Sequence, residues 1–194
     1  MALVVGLGNP GARYAGTRHN VGWRVVDRLV RRWDARADER TAEYRTWAAG
    51  VAGRPVLLLQ PLTFMNLSGH ALAVWRERHA LDPAEMLVVA DDVYLPVGHL
   101  RLRASGSSGG HRGLEDIERV LGTRDYARLR LGVGAVDSAA LRQHVLDEPG
   151  GEEVQALERA ADAAADAVAC WLDEGILAAM SRFNRRVRKE VSEP

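Results

Sequence analysis

The chain has 194 residues, 47% of them hydrophobic, which is enough for one well-buried domain and short for two. Its 26 basic residues balance 26 acidic residues, so the overall charge does not indicate a nucleic-acid or membrane partner. No apolar run reaches the roughly 18 residues of a membrane span and the N-terminus lacks a secretory signal, so we expect a single domain over residues 1–194 of a soluble, cytoplasmic protein.

Short apolar runs alternate with helical patterns along the chain, which predicts an α/β fold. The apolar runs predict strands over residues 2–5, 46–51, 55–60, 87–90, 100–103 and 129–133. Apolar residues at helical spacing predict helices that cover the sheet, over residues 21–33, 67–75, 154–171 and 176–187. The pattern of residues 154–171 also fits a coiled coil, but it is short for one and favours a helix docked on the core.

The first strand runs into "VVGLGNPG", Val4 to Gly11, whose glycines have the spacing of a dinucleotide-binding motif. That motif needs a helix that begins at the glycines and an acidic residue after a second strand. Here Pro10 removes a backbone donor, helical periodicity starts only at Val21, and Asp27 lies inside that helix. A turn that ends the strand explains the glycines better, although it does not account for the amide of Asn9.

Loops that follow the predicted strands carry polar side chains, and ligands bind at the carboxyl ends of strands in open α/β sheets. The candidate ligand-binding residues on these loops fall into four groups in chain order: Asn9, Tyr14, His19 and Asn20; Thr63, Met65, Asn66 and Ser68; Asp91 and Asp92; and His111 and Arg112. The last group leads into a helix. Helix capping by Thr63 or Asn66 would explain one residue of the second group only. We therefore predict a polar pocket suited to hydrogen bonding and proton transfer.

The chain has one cysteine, Cys170, which excludes an intramolecular disulfide and a cysteine metal cluster. Its six histidines show no HExxH pairing. We expect neither a metal nor a cofactor, and we interpret Cys170 as a core residue of an amphipathic helix.

Several segments, in chain order, carry a resemblance to a known family: "GLGNPGARYAGTRHNVG", "PLTFMNLSG", "DDVYLPVG" and "GGHRGLEDI". The stretches "RLRLGVG" and "HVLDEP" extend it over most of the chain. In these motifs the chain resembles bacterial peptidyl-tRNA hydrolases. The resemblance implies a single α/β domain with a mixed, twisted sheet and helices on both faces, and a cytoplasmic monomer without a cofactor. It also implies cleavage of the ester between a peptide and the 3′-terminal ribose of tRNA.

By this resemblance His19 is the general base that activates water, and Asp91 orients its imidazole. Such chemistry needs no metal, because an imidazole can accept a proton near neutral pH; without the resemblance, His19 would be interpreted as a surface or capping residue. Aligning the third motif on Leu95 and Pro96 selects Asp91 rather than Asp92. Adjacent side chains on a strand point in opposite directions, so Asp92 is then solvated or structural.

The resemblance also implies substrate contacts. Asn9 and Asn66 match amides that contact the substrate near the scissile bond, where an amide offers both a donor and an acceptor. Tyr14, Phe64 and Met65 match positions that line the cleft and can hold a base or a side chain. These three residues can also be interpreted as core residues, and that alternative is strongest for Phe64.

His111 matches a positioning or cleft-lining residue rather than a second base. The chain departs from the family at two positions, with Arg112 where asparagine is usual and Tyr94 where an acid is frequent. An arginine cannot accept a hydrogen bond, but it can pair with a phosphate or the terminal nucleotide.

Because the enzyme must accept any tRNA, the tRNA is expected to bind through its phosphates. Arg103 and Arg130 match basic positions for this role. Further candidates are Arg101, Arg128 and the C-terminal arginines Arg182, Arg185, Arg186 and Arg188. Arginine supplies all but one of the 26 basic residues, so a single arginine is weak evidence by itself.

Two other functions stay open. Gly106, Ser108 and Gly110 form the GxSxG pattern of a nucleophile elbow, with Asp137 and His144 in the chain order of a triad. The elbow needs a strand that runs straight into the turn, whereas the serines here indicate a polar loop. The second alternative is a catalytically altered family member that binds RNA, against which the chain retains Asn9, His19, Asn66 and Asp91.

Overall fold

The structure, a computed structural model, describes residues 1–134 and 140–184. Within them the strands are β1 (Ala2–Gly6), β2 (Arg36–Arg40), β3 (Tyr44–Val51), β4 (Arg54–Pro61), β5 (Met86–Asp92), β6 (Leu100–Arg103) and β7 (Ala127–Gly132). The α-helices are α1 (Val21–Arg32), α2 (Ser68–Arg76), α3 (Arg112–Leu121), α4 (Leu141–Leu146), α5 (Gly151–Glu174) and α6 (Ile176–Phe183).

The strands form one mixed sheet in the order β2-β3-β4-β1-β5-β7-β6. Its centre is parallel, because β1 pairs with both β4 and β5, and β5 pairs with β7. The edges are antiparallel, with β2 and β3 on one side and β6 on the other. The carboxyl ends of β1, β4 and β5 therefore meet at one edge of the sheet.

Helices cover both faces of the sheet because side chains alternate along each strand. In β1, Val4 packs in a core with α1, α5 and α6, whereas Leu3 and Val5 pack in a second core with α2 and α3. Strands buried on both faces have continuous apolar sequences, as "VLLL" in β4 does. The predicted α/β fold with a mixed sheet and helices on both faces is confirmed.

The long pattern of residues 154–171 forms α5, which packs on the sheet beside α1 rather than in a coiled coil. Leu157, Ala161, Ala164 and Val168 lie on its buried face. The last helix begins at Ile176 as predicted and ends at Phe183; the predicted extension to residue 187 lies outside the described residues.

Two elements were not predicted, namely β2 and α4. The residues of β2 are largely exposed and polar, because β2 is an edge strand that, among the described residues, pairs only with β3. Helix α4 has six residues, too few to show a helical period. Other bounds differ by a few residues, as at β7, which begins at Ala127 rather than at Leu129.

The glycines after β1 serve packing and a turn. A Cβ on Gly6 would lie 2.4 Å from the carbonyl oxygen of Gly22, so glycine lets β1 and α1 approach closely. Gly11 has φ of 102°, which favours glycine and redirects the chain toward Tyr14. A single-turn 3-10 helix, Arg18–Asn20, then precedes α1. The helix thus begins well after the glycines, which contradicts a dinucleotide site.

In the described part of the chain, no helix is both long and apolar enough to cross a membrane.

Candidate active site

A cleft of about 480 Å³ opens where the loops after β1, β4 and β5 meet. This is the size of a small-molecule site and lies at the carboxyl ends of parallel strands. The predicted site residues that line it are Asn9, Tyr14, His19, Phe64, Met65, Asn66, Asp91, His111, Arg112 and Arg130. Arg103 does not line it and lies exposed on the edge strand β6.

His19 lies in the 3-10 turn before α1, and its Nδ1 is 2.6 Å from Oδ1 of Asp91, the residue at the end of β5. Asp91 is 2% exposed. Burial by itself would raise the pKa of Asp91, but the interactions of its carboxylate with His19 and His111 outweigh burial and hold the pKa below its ordinary value. The carboxylate is therefore ionised and can only accept, so His19 Nδ1 carries a proton and donates it.

His111 supplies a second donor to the same oxygen, with Nε2 3.0 Å from Asp91 Oδ1. Its other nitrogen, Nδ1, accepts from the backbone N–H groups of Gly113 and Leu114 at 3.2 and 3.3 Å and so caps the N-terminus of α3. A ring that accepts at Nδ1 carries its proton at Nε2, which fixes the tautomer. His111 can thus donate to Asp91, and this bonding does not suit it to be a second base.

When the ring of His19 is neutral, the bond from its Nδ1 to Asp91 leaves Nε2 as the unprotonated nitrogen. It has no hydrogen-bond partner within residues 1–134 and 140–184, and the side chain is 14% exposed on the cleft wall. A water molecule in the cleft can therefore donate to this nitrogen.

Asn9 is held with its amide in one orientation. Its Oδ1 accepts the backbone N–H of Met65 at 2.7 Å, which leaves Nδ2 as the group that can donate into the cleft. Its backbone is bonded to Asn20, whose Oδ1 accepts from Asn9 N at 2.9 Å and whose Nδ2 donates to Asn9 O at 3.0 Å.

Asn66 is exposed in the cleft. The capping alternative is wrong, because α2 is preceded by Leu67 without a side-chain cap, and Thr63 Oγ1 donates to the carbonyl of Leu67. The amide of Asn66 is therefore not used for capping and faces the site.

Aromatic side chains form part of the cleft wall. The rings of Tyr14 and Phe64 meet edge to face at a centroid distance of 6.3 Å. The interpretation of Phe64 as a core residue is wrong, since it is 50% exposed, whereas Met65 is 4% exposed and packs in the core beneath it. Tyr94, on the loop after β5, also lines the cleft and is 66% exposed.

Asp92 is structural rather than solvated. It is 5% exposed, and its Oδ2 accepts from Nη1 of Arg130 at 3.2 Å. Nη2 of Arg130 donates to the carbonyls of Ser107 and Ser108 at 2.9 and 2.8 Å. This arginine thereby fastens the loop before His111 to the sheet.

Comparison with known proteins agrees with these motifs. A family model described as peptidyl-tRNA hydrolase matches residues 3–192. The chain belongs to the peptidyl-tRNA hydrolase family. Relatives so named from Symbiobacterium thermophilum and a Synechococcus species are 44% and 46% identical over 185 and 186 residues; the matches cover 94% and 95% of this chain and 98% and 83% of theirs.

A solved structure agrees as well. The crystal structure of peptidyl-tRNA hydrolase from Acinetobacter baumannii has a TM-score of 0.89 at 31% identity, and the match covers 95% of this chain and 94% of that chain. The resemblance predicted from the sequence motifs is confirmed.

Within this family fold, the nucleophile-elbow alternative finds no support. Eight residues separate the end of β6 at Arg103 from the start of α3 at Arg112, so no strand runs straight into the turn at Ser108. His144 is bonded through Nε2 to the carbonyl of Val133 at 2.8 Å. Asp137, the third member of that triad, lies outside the described residues.

The site also contains a set of side chains that could be considered as metal ligands. His19, Asp91 and His111 offer ligand atoms within 4.8 Å of one another. However, Nε2 of His111 carries its proton as long as Nδ1 caps α3, and a protonated nitrogen cannot ligate a metal. The bonding pattern therefore suits proton transfer better than metal binding.

The sequence motifs missed one wall of the cleft, formed by Leu141, Arg142, Val145 and Leu146 of α4. The segment "HVLDEP" was part of the family resemblance, but it did not predict that α4 would line the cleft. Arg112 and Arg142 are both exposed along the cleft, without a hydrogen-bond or ion-pair partner in the described part of the chain. The predicted phosphate-binding candidates Arg185, Arg186 and Arg188 lie outside that part, whereas Arg182 pairs with Glu174.

Proposed function

We propose that this chain hydrolyses the ester bond between a peptide, or an N-blocked amino acid, and the 3′-terminal ribose of tRNA. The observation that carries the proposal is the 2.6 Å bond from His19 Nδ1 to Asp91, which leaves Nε2 free to accept a proton in the cleft. Membership of the peptidyl-tRNA hydrolase family supports the choice of substrate.

In the proposed reaction, a water molecule loses a proton to His19 Nε2 while its oxygen attacks the ester carbonyl carbon. Asp91 stabilises the imidazolium that forms, because its carboxylate is ionised and bonded to that ring. The tetrahedral intermediate then breaks its bond to the ribose oxygen, which takes the proton back from His19. The products are a free peptide carboxylic acid and a tRNA with its terminal hydroxyl restored.

Asn9 and Asn66 would hold the acyl group. Nδ2 of Asn9 is oriented toward the cleft by the bond from Met65 N to Asn9 Oδ1, and it can donate to the ester oxygen on which negative charge develops. The exposed amide of Asn66 can bond the blocked amino group and the first peptide unit, which provides a reason to prefer N-blocked substrates.

The aromatic part of the cleft, Tyr14 and Phe64, offers faces on which the terminal base or the amino-acid side chain can stack. Met65 adds its thioether below them. Tyr94 extends this apolar contact on the loop after β5.

The tRNA end would be bound through phosphates. Arg112 has its guanidinium unpaired in the described part of the chain and lines the cleft, so it is the most direct candidate. Arg130 has Asp92 and two loop carbonyls as partners and would act chiefly by holding the loop. Arg103, exposed on β6, would contact phosphates farther along the acceptor stem.

The test is release of an N-acetyl amino acid from N-acetyl-aminoacyl-tRNA, with the unblocked aminoacyl-tRNA as control. The wild type should cleave the blocked form, and His19→Ala should lose cleavage while its affinity for deacylated tRNA stays near that of the wild type. A wild-type protein that binds tRNA but does not cleave would instead favour the RNA-binding alternative. Ser108→Ala should retain activity, and its loss would favour the serine-esterase alternative.

A further inference from the structure

The residue immediately before the base, Arg18, is almost completely buried. Its Nε and Nη2 donate to the two carboxylate oxygens of Glu153 at 2.6 and 2.7 Å. Its Nη1 donates to the carbonyls of His144 and Asp147, both at 3.2 Å. Such a planar, bidentate pair holds the arginine side chain in one orientation and also compensates its charge.

These partners belong to the other side of the cleft. Glu153 lies in the first turn of α5, and His144 and Asp147 lie at the carboxyl end of α4, whose residues line the cleft. The backbone N–H of Arg18 also donates to the carbonyl of Asp147, at 3.2 Å. One residue therefore joins the turn that carries the base to the wall that faces the substrate.

The residue after the base is held equally firmly. Asn20 is 2% exposed and exchanges two hydrogen bonds with the backbone of Asn9. The 3-10 turn Arg18–Asn20 is thus fixed on both sides of His19, toward β1 by Asn20 and toward α4 by Arg18. Because the turn is only three residues long, a shift of Arg18 must displace His19.

We propose that Arg18 is a positioning residue for ester hydrolysis, which sets the distance between His19 and the α4 wall through its bonds to Glu153, His144 and Asp147. It contacts no reacting atom. This inference rests on the proposed function, since it concerns the placement of the same base.

The central variant is Arg18→Lys, which keeps the positive charge but cannot reproduce the planar fork. We expect kcat for N-acetyl-aminoacyl-tRNA to fall by about 10- to 100-fold, because small displacements of a catalytic group have effects of this size. The Kd for deacylated tRNA should stay within about twofold of the wild type, since Arg18 is not offered as a tRNA contact. A folded Arg18→Lys protein with wild-type kcat would overturn the proposal.

Glu153→Gln provides a second variant, in case Arg18→Lys fails to fold. It keeps one oxygen acceptor for Arg18 and should lower kcat by less than Arg18→Lys does. The double variant should be no slower than Arg18→Lys, because both changes break the same contact. Fully additive losses would mean that the two residues act independently and would contradict the proposal.

The matched control is Arg28→Lys. Arg28 is also a largely buried arginine that pairs with α5, through Glu158 and Asp162, but it lies on α1 and has no hydrogen bond or ion pair with the turn or with α4 in the described part of the chain. We expect it to fold and to cleave as the wild type does. An equal loss of kcat in Arg28→Lys would show that any weakening of the contact with α5 is sufficient, and would overturn a specific role for Arg18.

An NMR measurement separates this proposal from the proposed function. The Nδ1 proton of His19, assigned with His19→Gln, should give a resolved downfield signal in the wild type that broadens or shifts in Arg18→Lys and not in Arg28→Lys. If the wild type fails to cleave, the proposed function fails while this signal still tests Arg18. A signal that is unchanged in folded Arg18→Lys would overturn the positioning role.

Discussion

Asp91 and His111 are joined by a hydrogen bond of 3.0 Å, from Nε2 of the ring to Oδ1 of the carboxylate. That oxygen is also the acceptor of His19 Nδ1, so one atom of Asp91 is bonded to both imidazoles. The carboxylate that we propose orients the base is therefore itself oriented, by a ring that also caps α3. This relationship separates the role of Asp91 from that of His111.

Asp91→Asn should keep the fold but lower kcat by about 10²- to 10⁴-fold, the range found for acid–base groups and for the orienting carboxylate of other triads. The amide carries no negative charge to stabilise the imidazolium that forms when His19 accepts a proton. Single-turnover cleavage of N-acetyl-aminoacyl-tRNA measures this effect, with Kd for deacylated tRNA as the control. A kcat close to that of the wild type would rule out Asp91 as the orienting group.

His111→Asn and His111→Ala separate the two functions of that ring. Asparagine is a good N-cap, so His111→Asn should preserve stability, whereas His111→Ala should lose about 0.5–2 kcal/mol in urea denaturation. Both variants lose the donor to Asp91, so both should lower kcat, by less than Asp91→Asn does. If the asparagine variant is fully active, the bond to Asp91 has no part in catalysis.

Stability should depend on alkaline pH through Tyr126. This residue is 1% exposed, its hydroxyl has no hydrogen-bond partner in the described part of the chain, and burial raises its pKa to about 12. The pKa of Tyr126 is higher in the folded state than in the unfolded state. The stability that its neutral hydroxyl provides is therefore complete below pH 10 and is lost as the pH rises through about 12.

Tyr126→Phe should therefore be as stable as the wild type at neutral pH, or more stable, because it removes a buried hydroxyl without a partner. Between about pH 10 and 12, the wild type should lose about 2–3 kcal/mol relative to the variant. Urea denaturation of both proteins across this range measures the difference. Parallel pH profiles would show that Tyr126 ionises normally.

Much of the fold can be predicted from the sequence, because buried strands and amphipathic helices have recognisable patterns of apolar residues. Leu3, Val4 and Val5 are apolar on both faces of β1, which is what a central parallel strand requires. The edge strand β2 has no such apolar pattern, because in the described part of the chain it has one neighbouring strand and its side chains are mostly in water. Its position depends on pairing with β3 and on tertiary contacts.

The candidate site was likewise predicted only in part. His19, Asn66 and Asp91 were predicted because they follow strands in recognisable motifs, and the structure brings them to one cleft. The network of Arg18 with Glu153 could not be predicted, since its partners are 135 residues apart and a long-range ion pair has no sequence signature. Phe64 was misjudged because a lone aromatic does not indicate by itself which side it presents.

Arg112 should increase the electrostatic part of tRNA binding. Its guanidinium lines the cleft and has no partner in the described part of the chain, so a phosphate can pair with it without breaking another bond. Arg112→Asn should therefore raise KM at low salt and reduce the slope of log KM against log salt by roughly 0.7–1, the value of about one phosphate contact.

Arg76→Asn makes the same change of charge on another exposed arginine, at the end of α2, and Arg76 does not line the cleft. It should leave both KM and the salt slope near those of the wild type. KM measured from 50 to 300 mM salt, roughly the range over which phosphate contacts weaken, distinguishes the cases. If Arg112→Asn raises KM with an unchanged salt slope, Arg112 binds a neutral part of the substrate; if it raises kcat/KM, the arginine hinders turnover.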